Sequence, residues 1–312
     1  MTSPLDSVLI IGFGGPTRPD DVLPFLRRVS QGLGVPEERL IEVAGHYRAV
    51  GGRSPYNDLT EKLARALAGW LALAGRPLPV HVGMRNSPPL LAEVIGRMGA
   101  AGHRHAAGVI LAPHRSEASR DRYVRDVSRA LESERAPLQV SYIDPWFEEP
   151  GFLEACAARI EEVSGHHRGA WPAILPVIFT AHSIPVMMAE RSAYIADLKA
   201  SCEGVARLLG VSDWEIAYQS RSGDGRTPWL GPDITEALAA RAASGTREVV
   251  VEAIGFLSDH VEVLYDLDVE AAHQARSLGL TLRRAACVND HPGFVAALGR
   301  GVLKLTLEVS AP

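Results

Sequence analysis

Short runs of apolar and β-branched residues alternate along the chain with longer stretches whose apolar positions recur every three or four residues. The short runs, at residues 7–11, 79–82, 107–111, 139–143, 174–180, 215–218, 248–253 and 281–285, have the length and composition of buried strands. The longer stretches, at 57–74, 89–100, 118–134, 151–163, 193–209 and 233–243, carry the helical period, as does the tail at 290–309. Regular strand–helix alternation predicts an α/β chain with parallel sheets.

The predicted strands divide evenly around residues 145–172, where Val163-Ser164-Gly165-His166-His167-Arg168-Gly169 reads as an exposed loop. The expected architecture is therefore two Rossmann-like domains, residues 1–147 and 148–288, facing each other across a cleft. Each has a four-stranded parallel sheet flanked by helices. A C-terminal helix at about 289–312 is expected to pack back on the first domain.

Polar residues gather where the strands stop. Gly12-Phe13-Gly14-Gly15-Pro16, Gly83-Met84-Arg85-Asn86, Pro113-His114-Arg115-Ser116, Ala181-His182-Ser183, Gln219-Ser220-Arg221 and Ser258-Asp259-His260 each follow one. Ligands in open α/β sheets bind beyond the carboxyl ends of the strands, so these clusters predict one shared site. The last cluster opens an acidic run. On a helix, Glu262, Asp266 and Glu270 stand at i, i+4 and i+8 and share a face, at a cost of roughly 0.2–0.5 kcal/mol per like-charged pair. Three acids alone are most simply a solvated helix face. Asp259-His260-x-Glu262 adds metal-capable groups that solubility does not require, which makes the row a candidate path for a cation.

Composition narrows the classes. The 312 residues suit one large or two medium domains with a substantial core. The net charge of −5 argues against a nucleic-acid partner, so an anionic ligand must be held by local basic residues. Cys156, Cys202 and Cys287 form no CxxC pair, which points to free thiols in a reducing compartment. The N-terminus lacks a basic leader, and no apolar run approaches the ~20 residues of a membrane span. A soluble cytoplasmic protein is expected.

Individual groups are less decisive. The glycine turn at 12–16 is not G-x-G-x-x-G, and it suits close approach of a flat ligand to the backbone better than a nucleotide phosphate. His182, at a strand exit, is either a hydrogen-bonded turn residue or a proton acceptor and metal ligand. Ser183 lacks the G-x-S-x-G setting of a hydrolase nucleophile. Trp229, between Pro228 and Pro232 and beyond the Gly-rich stretch 222–226, is either core or a pocket wall for an aromatic ligand. His46, Tyr47, Arg48, Arg53, Ser54, Arg115, Arg120, Arg122 and Tyr123 are donors for carboxylates, or ordinary surface groups.

Taken in order, Gly12-Phe13-Gly14-Gly15-Pro16, Gly51-Gly52-Arg53-Ser54-Pro55, Ala181-His182-Ser183-Ile184-Pro185, Gln219-Ser220-Arg221 with Trp229-Leu230-Gly231-Pro232, and Gly255-Phe256-Leu257-Ser258-Asp259-His260-Val261-Glu262 resemble the motifs of the ferrochelatase family. Each is weak alone, but the ordered set spans nearly the whole chain. The resemblance implies insertion of Fe(II), as substrate, into a porphyrin with release of two protons in haem biosynthesis. By the family pattern, His182 and Glu262 are the catalytic and metal-binding pair beside the macrocycle. The same pattern makes Asp259, Asp266 and Glu270 candidates for a proton or metal relay, and Phe13, His46, Ser54, Tyr123 and Trp229 candidate porphyrin contacts.

The departures are informative. The chain lacks the family's Gly-Asp-Pro before Tyr194, Phe13 stands where some members carry a tyrosine, and Asn86 stands where a histidine is often found. Three cysteines cannot supply the four ligands of the iron–sulfur cluster seen in some members, so no cluster and no other bound cofactor is expected. Residues 18–34 include Asp20, Asp21, Arg27 and Arg28 instead of an apolar membrane lip. That favours coproporphyrin III over protoporphyrin IX as substrate, with no stable membrane insertion. A monomer making transient contacts with neighbouring haem-pathway enzymes is expected. The alternatives are a protoporphyrin IX ferrochelatase, a non-catalytic porphyrin or haem carrier, and a cobalt chelatase.

Overall fold

A computed structural model describes residues 4–32, 34–221 and 227–310. The Gly-rich stretch 222–226 lies outside the described residues. Among the described residues, eight strands form two four-stranded sheets. They are β1 (Ser7–Gly12), β2 (Val80–Met84), β3 (His105–Ile110), β4 (Gln139–Tyr142), β5 (Val177–His182), β6 (Trp214–Gln219), β7 (Glu248–Glu252) and β8 (Thr281–Ala285). Every pairing is parallel. The orders are β2-β1-β3-β4 and β6-β5-β7-β8, so the second half repeats the first. The central strands β1 and β3 are buried at all six positions, as the continuous apolar reading of Ser7–Gly12 requires in a sheet covered on both faces.

The strand predicted at 174–180 begins only at Val177. Ile174 is 89% exposed, and Pro176, which has no N–H to give a ladder, accepts at its carbonyl from Val250. Hydrophobicity placed Ile174 inside; the proline placed it outside.

The helix Pro292–Ser310 joins the two halves. Gly299 lies flat against the Trp70 indole of the helix Tyr56–Leu73, where any Cβ would collide with the ring. Phe294 packs with Trp146 and Phe152, ring centroids 5.2 and 5.9 Å away, the latter on the helix Pro150–Ser164. Arg300 and Lys304 pair with Glu149 and Asp144, each at 2.6 Å. The largest hydrophobic core accordingly runs from Leu63 and Leu67 through Phe152 and Leu198 to Leu298.

Two further helices, Val22–Val29 and Glu37–Ala49, stand over the cleft. Phe25, Leu26, Leu40, Ala44 and Tyr47 give the pair a small core of its own, completed by Val261 from the second half.

Candidate active site

In both sheets the chain leaves the inner strand for one neighbour and then crosses to the other, which opens a crevice at the carboxyl ends of β1 and β3 and of β5 and β7. The two crevices face a single cleft of about 1630 Å³. Phe13, Asn86 and His114 line it from the first half; His182, Gln219, His260 and Glu262 line it from the second.

His182 ends β5. Its Nδ1 lies 2.5 Å from the Ser183 carbonyl, which can only accept, so in the neutral ring Nδ1 carries the proton and Nε2 keeps its lone pair. That nitrogen stands 3.8 Å from Oε2 of Glu262, and both side chains are part-exposed to the cleft. The Tyr194 hydroxyl donates to the His182 carbonyl at 2.8 Å, fixing the strand end. Ser183 is 1% exposed and donates to the Leu230 carbonyl, so it is a fastener and not a nucleophile.

Glu262 reaches the imidazole because the loop after β7 runs unusually close to β5. Gly255 donates to the Thr180 carbonyl at 3.0 Å, and a Cβ on it would come within 2.5 Å of the Ala181 Cβ. Two residues before Glu262, His260 takes the N-cap position, its Nδ1 accepting the Glu262 N–H at 3.2 Å. Burial lowers the pKa of this imidazole.

The acid row is not a simple α-helix. A short turn, Val261–Val263, passes into a π-helical segment, Leu264–Ala271, and returns to α over Ala272–Ser277. With an extra residue in each turn, side chains four apart fall just short of a full turn, and the row keeps to one side. Glu262, Asp266 and Glu270 all line the cleft. Asp266 accepts from Gln219 Nε2 at 3.2 Å and from the Ser220 hydroxyl. Burial, assisted by Glu262 and Glu270 and opposed by the Ser220 and Gln219 hydrogen bonds, pushes its carboxyl up to about 7. Burial also raises Glu270.

Asp259 departs from the relay expectation. It does not line the cleft. Its carboxylate pairs with Arg284 and accepts from Asn289 Nδ2 at 2.7 Å and from the Cys287 N–H at 3.3 Å. The metal-capable cluster read from Asp259-His260-x-Glu262 is corrected with it: one member turns away and one caps a helix. Among the described residues no group of three or more histidine, cysteine or acidic side chains is arranged around a metal position.

The expected porphyrin contacts all border the cleft, in different settings. Phe13 meets the Phe25 ring edge-on at 6.3 Å. His46 stacks flat on Tyr265, with centroids 3.8 Å apart and planes 6° apart, closing the mouth between the helix Glu37–Ala49 and the acid row. Trp229 bridges Pro185. Ser54 and Tyr123 are 4% and 5% exposed and present little more than an edge. Of the other expected carboxylate donors, Tyr47 and Arg122 line the cleft, and Arg48 and Arg53 do not. Arg115 does not; it binds the buried Asp197 at 2.7 Å, and Arg120 lies over the Tyr142 ring. Arg28, Arg39, Arg85, Arg129 and Arg221 line the cleft instead.

Gly14 and Gly15 border the cleft, and neighbouring side chains also require them to be glycine. The space of a Cβ at Gly14 and Gly15 is filled by Ser87 and Ser54, and the Phe13 and Gly15 N–H groups donate to Tyr56 Oη and Asn57 Oδ1. The glycines pack loop on loop, and these amides are not free for a phosphate.

Gln219 and Ser220, which the sequence offers only as part of a strand-end cluster, hold Asp266, and nothing in the sequence marks Tyr265. His114 belongs to another such cluster. It is buried in the loop beyond β3, with Nε2 3.1 Å from Ser201 Oγ and Nδ1 unpartnered among the described residues. Burial pushes its pKa down to about 3.

The chain is similar over most of its length to known proteins. A family model described as Ferrochelatase matches residues 6–305. A ferrochelatase of Rhodopirellula baltica is 40% identical over 94% of this chain and 84% of its own. A coproporphyrin III ferrochelatase of Frankia alni is 40% identical over 99% of this chain and 81% of its own. Among solved structures, SirB from Bacillus subtilis with Fe3+ superposes with a TM-score of 0.59 at 12% identity, over 97% of this chain and 96% of that one, a likeness of fold. The ordered motifs, the doubled parallel sheet and a match from end to end lead to one assignment: the chain belongs to the ferrochelatase family.

Proposed function

We propose that this chain inserts Fe(II) into coproporphyrin III, with His182 and Glu262 as the reacting pair. The observation that carries the reading is the Nε2 of His182, its Nδ1 held at the Ser183 carbonyl, facing the Glu262 carboxylate across 3.8 Å inside the cleft. Metallation takes two pyrrole protons from the ring and replaces them with the metal. A neutral imidazole whose second nitrogen is tied to a carbonyl is oriented to accept one of those protons, and the Ser183 carbonyl stabilises the imidazolium so formed. Imidazole and carboxylate together suit the stepwise exchange of Fe(II) water for protein donors. Asp266, titrating near neutrality beside Glu262, is suited to pass a proton outward, and Glu270 lies further along the same row.

Four propionates in place of two would use the basic part of the lining better. Six arginines, Arg28, Arg39, Arg85, Arg122, Arg129 and Arg221, line the cleft beside six carboxylates; Arg39 pairs with Glu42, and Arg85 and Arg129 with Asp126, which leaves Arg28, Arg122 and Arg221 to meet the propionates. The Frankia alni relative, named for coproporphyrin III, supports the same choice. No helix among the described residues is long and apolar enough to cross a membrane.

The test is anaerobic Fe(II) insertion assayed side by side with coproporphyrin III and protoporphyrin IX. Turnover of coproporphyrin III is expected to dominate; equal or greater turnover of protoporphyrin IX overturns the substrate choice. His182→Ala should lower kcat by about 10²–10⁴, the range of a positioned general base, with porphyrin binding retained. Undiminished insertion by that variant removes His182 from the mechanism, and tight porphyrin binding with no insertion by the parent protein identifies a carrier.

A further inference from the structure

Arg284, on β8, grips the acid-row segment at two points. Its Nη1 pairs with Asp259, just ahead of the helix cap, while Nε and Nη2 form a fork on the Asp268 carboxylate at 2.8 and 2.6 Å, inside the π-helical turn. The guanidinium side chain is only 16% exposed. Asn289 completes the hold, donating to Asp259 Oδ2 at 2.7 Å and accepting the Asp259 N–H at 3.2 Å. Neither Arg284, Asp259 nor Asp268 lines the cleft.

We propose that Arg284 is a positioning residue for metal insertion, whose simultaneous grip on Asp259 and Asp268 sets where Glu262 and Asp266 stand in the cleft. Between the two grips the chain has little freedom. Asp259 is followed at once by His260, whose ring accepts the Glu262 N–H, and Asp268 sits two residues beyond Asp266 in the same segment. A π-helical segment has no strong intrinsic preference to persist, so its register needs an external support. A planar fork bound to one carboxylate while its remaining nitrogen holds a second fixes both distance and angle, which an ammonium point charge does not. Asp259 acts here through Arg284 and the cap, not as a relay member.

The inference rests on Glu262 as the reacting carboxylate. Its test is steady-state anaerobic Fe(II) insertion into coproporphyrin III by Arg284→Lys, Asp268→Asn, Asp259→Asn, the double variant Asp259→Asn/Asp268→Asn, and Glu262→Gln. Misplacement of a reacting group predicts a fall in kcat of about tenfold or more for each clamp variant, with KM for coproporphyrin III unchanged. The double variant should lose no more than Arg284→Lys alone, because one clamp is removed either way. Where Arg284→Lys does not fold, Asp268→Asn carries the test, since the Asp268 side chain is already 38% exposed. Full kcat in Asp268→Asn and Arg284→Lys beside an inactive Asp259→Asn overturns the proposal and returns Asp259 to the relay. Insertion surviving in Glu262→Gln instead overturns the assignment of the reacting pair, whatever the clamp variants do.

Discussion

Two residues make the electrostatics of the cleft measurable. Asp266 holds its proton up to about pH 7 because burial disfavours the charge, against about 3.8 for an ordinary aspartate. Folding therefore binds this proton, and the stability it contributes is full below the unfolded value and lost as pH rises through the folded one. Asp266→Asn should match the parent protein near pH 3.5 and exceed it at pH 8 by on the order of 2–4 kcal/mol, read from urea unfolding at the two pH values. Equal stability at pH 8 would mean the carboxylate is solvated. His114 runs the other way. Its folded value, about 3, lies below the usual histidine value of 6.5, so its contribution is full above 6.5 and drains away as pH falls toward 3, at about 1.4 kcal/mol per pH unit. His114→Asn is expected to lose less stability than the parent between pH 7 and 4.5, and an identical decline would show that the ring charges in place. The sequence made the Asp266 position legible through its spacing from Glu262. Neither shift was legible, because both come from burial by elements distant in the sequence.

Among the elements, the loop between β7 and the acid row does most to build the site. Ala181 and Gly255 touch across neighbouring strands, so the residues that each introduces, His182 and Glu262, are held within reach of each other. Gly255→Ala must push that loop outward. It should cost about 1–3 kcal/mol and lower insertion by a large factor, checked by thermal unfolding and steady-state kinetics on the same preparation. Wild-type kinetics in a merely destabilised variant would separate the contact from the chemistry. The eight strands followed from periodicity, since buried parallel strands write that period directly, whereas the acid row reads as a helix only conditionally, from the spacing of its acids. The π-helical widening did not follow. It depends on supports from outside the segment, among them Arg284 on β8, and nothing in the spacing of Glu262, Asp266 and Glu270 distinguishes the two kinds of turn.

At the scale of the molecule, the same strand order used twice places two ligand-binding crevices mouth to mouth, but it does not say how the cleft is entered. The helices Val22–Val29 and Glu37–Ala49 cover it, and their own small core meets the second half at Val261, beside the His46–Tyr265 stack. Burying one valine is worth roughly 1.5–3 kcal/mol and a stacked ring pair about 0.5–1.5 kcal/mol more. Val261 is also the residue next to Glu262. A displacement of these two helices would therefore act directly on the backbone of Glu262, so the cover and the acid row are mechanically one piece.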